Sequence, residues 1–306
     1  AVINVGPGSP TGVTFGYGAK FPHKYQKAIY LLDWSWGKIY AVHMQPDGSS
    51  YKGTKETFIT GSPLPVADAI IHPGDGAMYF VIGGRKVQSG LYRVTYSGKE
   101  PTKPYVHKMK ANELTVLRRQ LEKLHVGSNP KALDLAWPHV DHSDRFVRWA
   151  ALMAIQRQPV EKWASKALKE KDHGKRANLL ISLSKAAGID PFHRKPTDPP
   201  VDSKMGRKII NSLLQIKWDK LSGEEQLALV RAYQVAMVRF GKPETQSAQK
   251  IVNQLDPRFP DERFEMNWLL CETLSFLEAP SVAEKGIALL MEAPTQEEQM
   301  EYARSL

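Results

Sequence analysis

Residues 28–45, AIYLLDWSWGKIYAVHMQ, decide the first half of the fold. Two runs rich in β-branched and aromatic residues, AIYLLDW at 28–34 and GKIYAVHMQ at 37–45, are bounded by turn residues, which is the pattern of short strands. The same reading extends outward to 55–60 (KETFIT), 66–72 (VADAIIH), 77–83 (AMYFVIG) and 90–96 (GLYRVTY). In the last run Tyr92, Val94 and Tyr96 alternate with Arg93 and Thr95, which predicts one buried face. Asp47-Gly48 and Asp75-Gly76 fall between runs, where a turn requires φ > 0. Six strands at this spacing amount to one to two blades of a propeller, whose blades hold four strands each, too few to close it. Either the strands make a small open sheet, or the remaining blades come from another chain or a missing segment; open edges would otherwise invite aggregation.

From residue 111 onward Leu, Ala, Lys and Glu replace the Gly and aromatic residues, and the apolar period becomes helical. Phe146, Trp149, Ala150, Met153 and Ala154 form one stripe, on a helix that Ser143 or Asp144 can cap. Leu229, Tyr233, Ala236 and Phe240 form a second, and Phe264, Trp268 and Cys271 a third. Ser222 with Glu225, Ser281 with Glu284 and Thr295 with Glu298 read as capping boxes at helix starts. Pro and Gly punctuate these helices at intervals that suit HEAT-like hairpins of ~40 residues. The expected architecture is a β + α multidomain chain. Incomplete β-propeller blades occupy 1–100, a linker 101–110, HEAT-like helical repeats 111–187, a Pro-rich loop 188–203 and continued helical repeats 204–306, the helices forming an α-helical solenoid.

Composition narrows the function classes. The 306 residues hold 42 Lys+Arg, 32 Asp+Glu and 42% hydrophobic side chains, which excludes a disordered, collagen-like or disulfide-stapled chain. With Cys271 the only thiol there is no internal disulfide, no CxxC pair and no CxxCH, so no cofactor is expected covalently in this chain. No apolar run approaches the ~18 residues of a membrane span, and the first residues lack the regions of a signal peptide. A start at Ala1 suggests a processed product or a piece of a longer chain. Of the net charge of +10, residues 101–185 carry +9, residues 1–100 carry +4 and residues 186–306 carry −3. A basic helical face can meet nucleic acid, an acidic partner protein or anionic lipid, and is equally the ordinary solvated surface of helices. Nucleic acid is not expected as a partner, because no binding motif and no interleaved basic and aromatic groove back the charge. GxSxG, the P-loop, HExxH and a GxGxxG before a helix are all absent, so hydrolase, kinase and nicotinamide-dehydrogenase readings lack a motif.

A few residues are candidates for chemistry. His139, Asp141, His142 and Asp144 in HVDHSD offer nitrogens and oxygens to a divalent metal, although the plainer reading is an inter-helix turn. Asp33 and Asp68, placed at strand ends beside Gly-rich or Pro-rich loops, can act as a general base or hold Ca²⁺; the plainer role is bonding backbone N–H groups of a turn. His43 and His72 show no partner in the sequence and read as blade residues. Trp137, Trp149, Trp163, Trp218 and Trp268 read as core, and Cys271 as buried beside Trp268.

GPGSPTGVTFGYGAKFP at 6–22, DWSWGKIYAVHMQPDGSSYKG at 33–53, PLPVADAIIHPGDGAMYFVIGGR at 63–85 and SGLYRVTYSG at 89–98 together carry a resemblance. In this order they resemble the end of the propeller in large membrane-bound or haem-binding dehydrogenases of planctomycetes and related bacteria, distantly similar to sorbosone and glucose quinoprotein dehydrogenases. DHSDRFVRWAALMAIQRQPVEKWASKAL at 141–168 and LDPRFPDERFEMNWLLCETLSFLEAPSV at 255–282 resemble the HEAT-like region that follows. The resemblance implies a complete propeller upstream, commonly a cytochrome c domain downstream, and a periplasmic or exported location. It makes this chain a segment of an exported sugar-type dehydrogenase, closing a propeller and giving a helical scaffold to partner or electron-transfer domains, with haem c or quinone in the parent protein and catalysis outside these residues. Where quinone-binding relatives place Lys and Arg against the anionic cofactor, this sequence has Ser35, Pro65 and Ala67; Arg85 and Arg93 remain as anion contacts. The alternative is a non-catalytic interaction scaffold that uses its basic helical face.

Overall fold

The computed structural model describes residues 2–84, 86–106, 111–198 and 200–306, and the chain divides into two compact units, Ala1–Val116 and Leu117–Leu306. Among the described residues there are seven strands and twelve α-helices, a mixed β + α class.

The β unit opens with β1 (Pro10–Phe15) and a single helical turn, α1 (His23–Gln26). Next come β2 (Ile29–Asp33), β3 (Lys38–Asp47) and β4 (Ser50–Thr60), and the four strands make an antiparallel sheet in sequence order. A second antiparallel sheet holds β5 (Val66–Ile71), β6 (Met78–Gly84) and β7 (Val87–Val94). All six expected runs are strands. β1, PTGVTF, escaped the sequence reading because Pro and Gly, both poor strand formers, hide its Val-Thr-Phe core. The Asp-Gly turns have the required geometry: Gly48 and Gly76 sit at φ 56° and 70°.

Alternation decides what each sheet buries. Tyr30 and Leu32 of β2, Ile39 and Ala41 of β3, Val66 and Ala69 of β5, and Met78, Phe80 and Ile82 of β6 form one core between the two sheets. At the edge of the sheets nearest each other, Thr11 Oγ1 of β1 donates to the Val66 carbonyl of β5 at 2.8 Å. On the opposite faces apolar side chains are exposed in the second sheet and along β1 of the first, whereas Tyr40 and Val42 of β3 are buried there, beside the segment whose Val2 carbonyl accepts from Gly53 N. In the second sheet Val81 pairs with Leu91 in register, and Ile70 lies on the same face; Ile70 is 53% and Leu91 69% exposed. In the first sheet Val13 and Phe15 of β1 are exposed beside half-buried Leu31 and Ile29. The alternation expected in the last strand is only partly realised. Val94 and Tyr96 pack on the core, whereas Tyr92 stacks on Phe80 with ring centroids 4.9 Å apart yet stays exposed, because β7 is an edge strand with nothing beyond it among the described residues. Of the segment expected as a linker, residues 101–106 are tied to this unit through Gln26: its Nε2 donates to the carbonyls of Phe21, Thr102 and Lys103, and its Oε1 accepts from Tyr105 N. Residues 107–110 lie outside the described residues.

Helix α2 (Glu113–Glu122) straddles the division between the units. Beyond it come α3 (Ala132–Ala136), α4 (Arg145–Gln156), α5 (Ala164–Leu168), α6 (His173–Ala187), α7 (Ser203–Leu213), α8 (Gly223–Phe240), α9 (Thr245–Leu255), α10 (Phe264–Phe276), α11 (Val282–Glu292) and α12 (Gln296–Ser305). They pack in sequential pairs, α3 on α4, α5 on α6, α7 on α8, α9 on α10 and α11 on α12. The second members also pack serially, α4 on α6, α6 on α8, α8 on α10 and α10 on α12. A single core of small and aliphatic residues runs through the whole unit, from Leu121 to Tyr302. Of the Pro-rich segment 188–203, the described residues before Ser203 carry no helix or strand, Ser203 begins α7, and Pro199 lies outside the described residues. No helix of the described residues is long and apolar enough to cross a membrane.

Three helix expectations need correction. The buried stripe of α4 is Val147, Ala150, Ala151, Ala154 and Ile155, rotated from the expected one, so Phe146 and Met153 are half-buried and Trp149 is 56% exposed. A helix with apolar residues on more than one face offers two stripes, and the one richer in small residues goes inside because α6 packs closely there. Of the two residues offered as cap for this helix, it is Asp144 whose side chain accepts from Phe146 N and Val147 N. Ser222 and Glu225 do close a capping box, and Thr295 accepts from Glu298 N at 3.3 Å, but the Ser281 hydroxyl bonds the Asp256 carboxylate instead of its own helix.

Candidate functional site

The exposure of Trp149 marks the most distinctive surface of the helical unit. The first two turns of α4 present Arg145, Phe146, Arg148, Trp149 and Leu152 toward Glu224 and Leu227 in the first turns of α8, and these side chains line a groove of about 810 Å³. Each is held differently. The Trp149 indole meets the His125 ring edge-on at 5.7 Å, and His125 Nε2 lies 2.8 Å from the Ala150 carbonyl, so the indole is braced on one side and open on the other. The Arg145 guanidinium lies 5.1 Å from the centre of the Phe146 ring and has no ion-pair partner among the described residues. Arg148 Nη1 donates to the His142 carbonyl at 2.7 Å, while its Nη2 reaches Glu224 Oε2 at 3.4 Å. The Glu224 side chain is almost fully solvated, so this last contact is a weak surface pair that another carboxylate can replace. A smaller polar cavity of about 240 Å³, lined by Asp141, Ser143, Asn178, Ser222 and Glu225, shares Arg148 and Glu224 as its wall.

The residues singled out from the sequence serve mainly structural ends. Asp33, at the end of β2 and buried, accepts through Oδ1 from the N–H groups of Ser9 at 3.2 Å, Ser35 at 2.9 Å and Trp36 at 3.3 Å. Asp68 is not at a strand end as expected: it lies inside β5 at an irregularity in the pairing, exposed, with Oδ1 accepting from Ala69 N. Arg93 spends its guanidinium on Asp75, donating from Nε at 3.1 Å and Nη2 at 2.9 Å. The Ala77 N–H, followed by Tyr79 and Arg93, holds the Asp75 carboxyl well below the usual carboxylate range. Arg85 lies outside the described residues. His72, partnerless in the sequence, packs into that same turn with Nδ1 3.2 Å from Asp75 Oδ1, and His43 Nε2 lies 3.5 Å from Glu56 Oε2.

HVDHSD forms the turn before α4. Its rings approach, His139 to His142 at 6.0 Å, but Asp144 is occupied with its cap and Asp141 lies 3.6 Å from Lys175 Nζ. His142 Nδ1 accepts from Asp144 N at 3.0 Å, and burial, then the nearby His142, pushes the His139 imidazole down. Among the described residues no group of three or more His, Cys, Asp or Glu is placed to hold a metal ion. Asp144→Ala is expected to lower stability by about 1 kcal/mol through the lost cap. That loss should appear as a shift of the denaturation midpoint with and without added zinc alike; a shift confined to zinc-loaded protein would assign the residue to a metal instead.

Of the tryptophans, Trp137, Trp163 and Trp218 are buried, Trp268 is half-buried and Trp149 is not core. Cys271 is fully buried, and that burial pushes its thiol up. Ser35 Oγ lies 2.6 Å from Ser9 Oγ, and the Arg93 guanidinium is committed to Asp75. Arg145-Phe146-Val147-Arg148-Trp149 interleaves basic and aromatic residues, a signal that the helical period hides because Phe146 and Trp149 also fit a core stripe. A scan against protein-family models, a search of curated proteins and a search of solved structures each returned no match to this chain.

Proposed function

We propose that this chain is a scaffold: the end of a β-propeller joined to HEAT-like helical repeats, within a larger exported protein of the sugar-type dehydrogenase kind. The observation that carries this reading is the exposed apolar side chains of the β unit, on the outer face of the second sheet and along β1 of the first. A propeller blade is a four-stranded antiparallel sheet in sequence order, with its first strand beside the first strand of the next blade and apolar side chains on both faces. The β1–β4 sheet has that order, and β1 bonds β5 through Thr11. Ile70, Val81 and Leu91 on one side, and Val13 and Phe15 on the other, are what neighbouring blades would cover. The β5–β7 sheet is one strand short of a blade, which a segment outside these residues would supply. The serial packing of α4, α6, α8, α10 and α12, each also in contact with the helix before it, supports the repeat reading of the helical unit. The sugar-type dehydrogenase assignment rests on the sequence resemblance, and catalysis, with quinone or haem c, would then reside in other parts of the parent, beside a cytochrome c domain.

The groove on α4 and α8 favours a second reading, in which the helical unit is an interaction module with no redox role. Both readings make the chain a scaffold and differ in what surrounds the β unit. A photoreactive side chain in place of Leu91, in the protein purified from its natural source, separates them. Adducts to a peptide outside the 306 residues support the missing blades. Quantitative recovery without an external adduct overturns them.

A further inference from the structure

We infer that the α4–α8 groove is a docking site for an acidic peptide segment carrying a large apolar anchor. This inference deepens the scaffold reading of the helical unit and is independent of the propeller reading. The groove has the composition of a binding hot spot, a Trp and two Arg around an aliphatic floor. Its volume suits one or two bulky side chains of a partner, seated between Phe146, Trp149, Leu152 and Leu227.

Charge selects the class of partner. Residues 101–185, which include α4, carry +9, and at the groove Arg145 lacks a carboxylate while Arg148 holds only the solvated Glu224. A partner carboxylate can pair with Arg145 directly and take the second guanidinium nitrogen of Arg148 from Glu224 without leaving a buried charge unpaired. A nucleic-acid strand fits less well. Its phosphates need a track of cations, whereas two arginines flank this groove and the Glu224 carboxylate faces the path.

Selection from a displayed library of random twelve-residue peptides, on the whole chain at low salt, tests the inference. Two variants accompany it. Trp149→Ala removes an exposed side chain, and Arg145→Glu puts an acid in the first turn of α4, where the helix dipole favours it, so both should keep the fold and thermal melting checks that they do. The expected result is enrichment of peptides with Asp or Glu beside Trp, Phe or Leu, whose affinity falls at least tenfold in either variant and falls with added salt. Failure to enrich such peptides, or equal binding by both variants, overturns the inference and leaves the scaffold reading standing. A parallel selection with random single-stranded oligonucleotides that yields the tighter, Arg145-dependent ligand overturns it in favour of nucleic acid. The Leu91 adduct is read independently of all these outcomes, so loss of one reading is distinguishable from loss of the other.

Discussion

Trp163→Ala is expected to lower stability by about 3–5 kcal/mol, the range for truncating a fully buried large aromatic residue. Trp163 is 1% exposed, and its Nε1 donates to the Gln158 carbonyl at 3.2 Å. Gln158 is buried too. Its Nε2 donates to the Ala154 carbonyl at 3.0 Å and its Oε1 accepts from Asn129 N at 2.9 Å. Truncation therefore opens a cavity at the end of α4 and leaves a carbonyl without its donor, two losses that add. The informative comparison is Trp149→Ala in α4, which removes an equal side chain from the surface and is expected to change stability by no more than about 0.5 kcal/mol. Denaturant titration of both variants measures the difference. Similar midpoints would mean that Trp149 is core and the groove does not exist as described.

Gly16→Ala is expected to be the most damaging single-methyl change in the β unit, at or above the upper end of the about 1–3 kcal/mol that overpacking costs. A Cβ at Gly16 would lie 2.1 Å from the Tyr25 carbonyl oxygen and 3.1 Å from the Tyr30 ring. Neither can retreat easily. The Tyr25 carbonyl accepts from Tyr30 Oη at 3.1 Å and from Ala28 N at 3.3 Å, and Gly16 N itself donates to the Ala28 carbonyl at 3.0 Å. Burial pushes the Tyr30 phenol far above its ordinary range, consistent with a ring fixed in the core. Gly83→Ala is the control, since the nearest atom to its added methyl is Ser89 Oγ at an ordinary 3.5 Å. Thermal melting followed by near-UV circular dichroism should place Gly16→Ala well below the natural protein and Gly83→Ala close to it. Equal melting of the two would show that the β1–α1 approach is looser than described.

Strands were readable wherever alternation and turn chemistry agreed. AIYLLDW and GKIYAVHMQ are such runs, because their aromatic and β-branched residues lie between Gly and Asp turns, and they became β2 and β3. β1 was not readable, because its strand character comes from pairing with β2 and not from its own residues. Helix existence was likewise legible from period and caps, but the choice of face was not. In α4 two apolar stripes compete, and only the neighbouring α6 decides that Ala150, Ala151 and Ala154 go inside and Trp149 out. Single candidate residues fared as short polar side chains near turns commonly do: Asp33, Asp75 and Asp144 each satisfy backbone N–H groups. The groove needed two segments about 80 residues apart in sequence to come together, a spacing no local pattern records.

The scaffold account stands or falls on what the β unit is part of. Intact mass of the protein purified from its natural source, taken with its absorption spectrum, tests this most directly. The account predicts a species larger than the 34.4 kDa of these 306 residues, with the Soret band of a haem or the absorption of a quinone. A colourless species of 34.4 kDa would contradict the dehydrogenase assignment and leave the α4–α8 groove as the chain's remaining candidate for function.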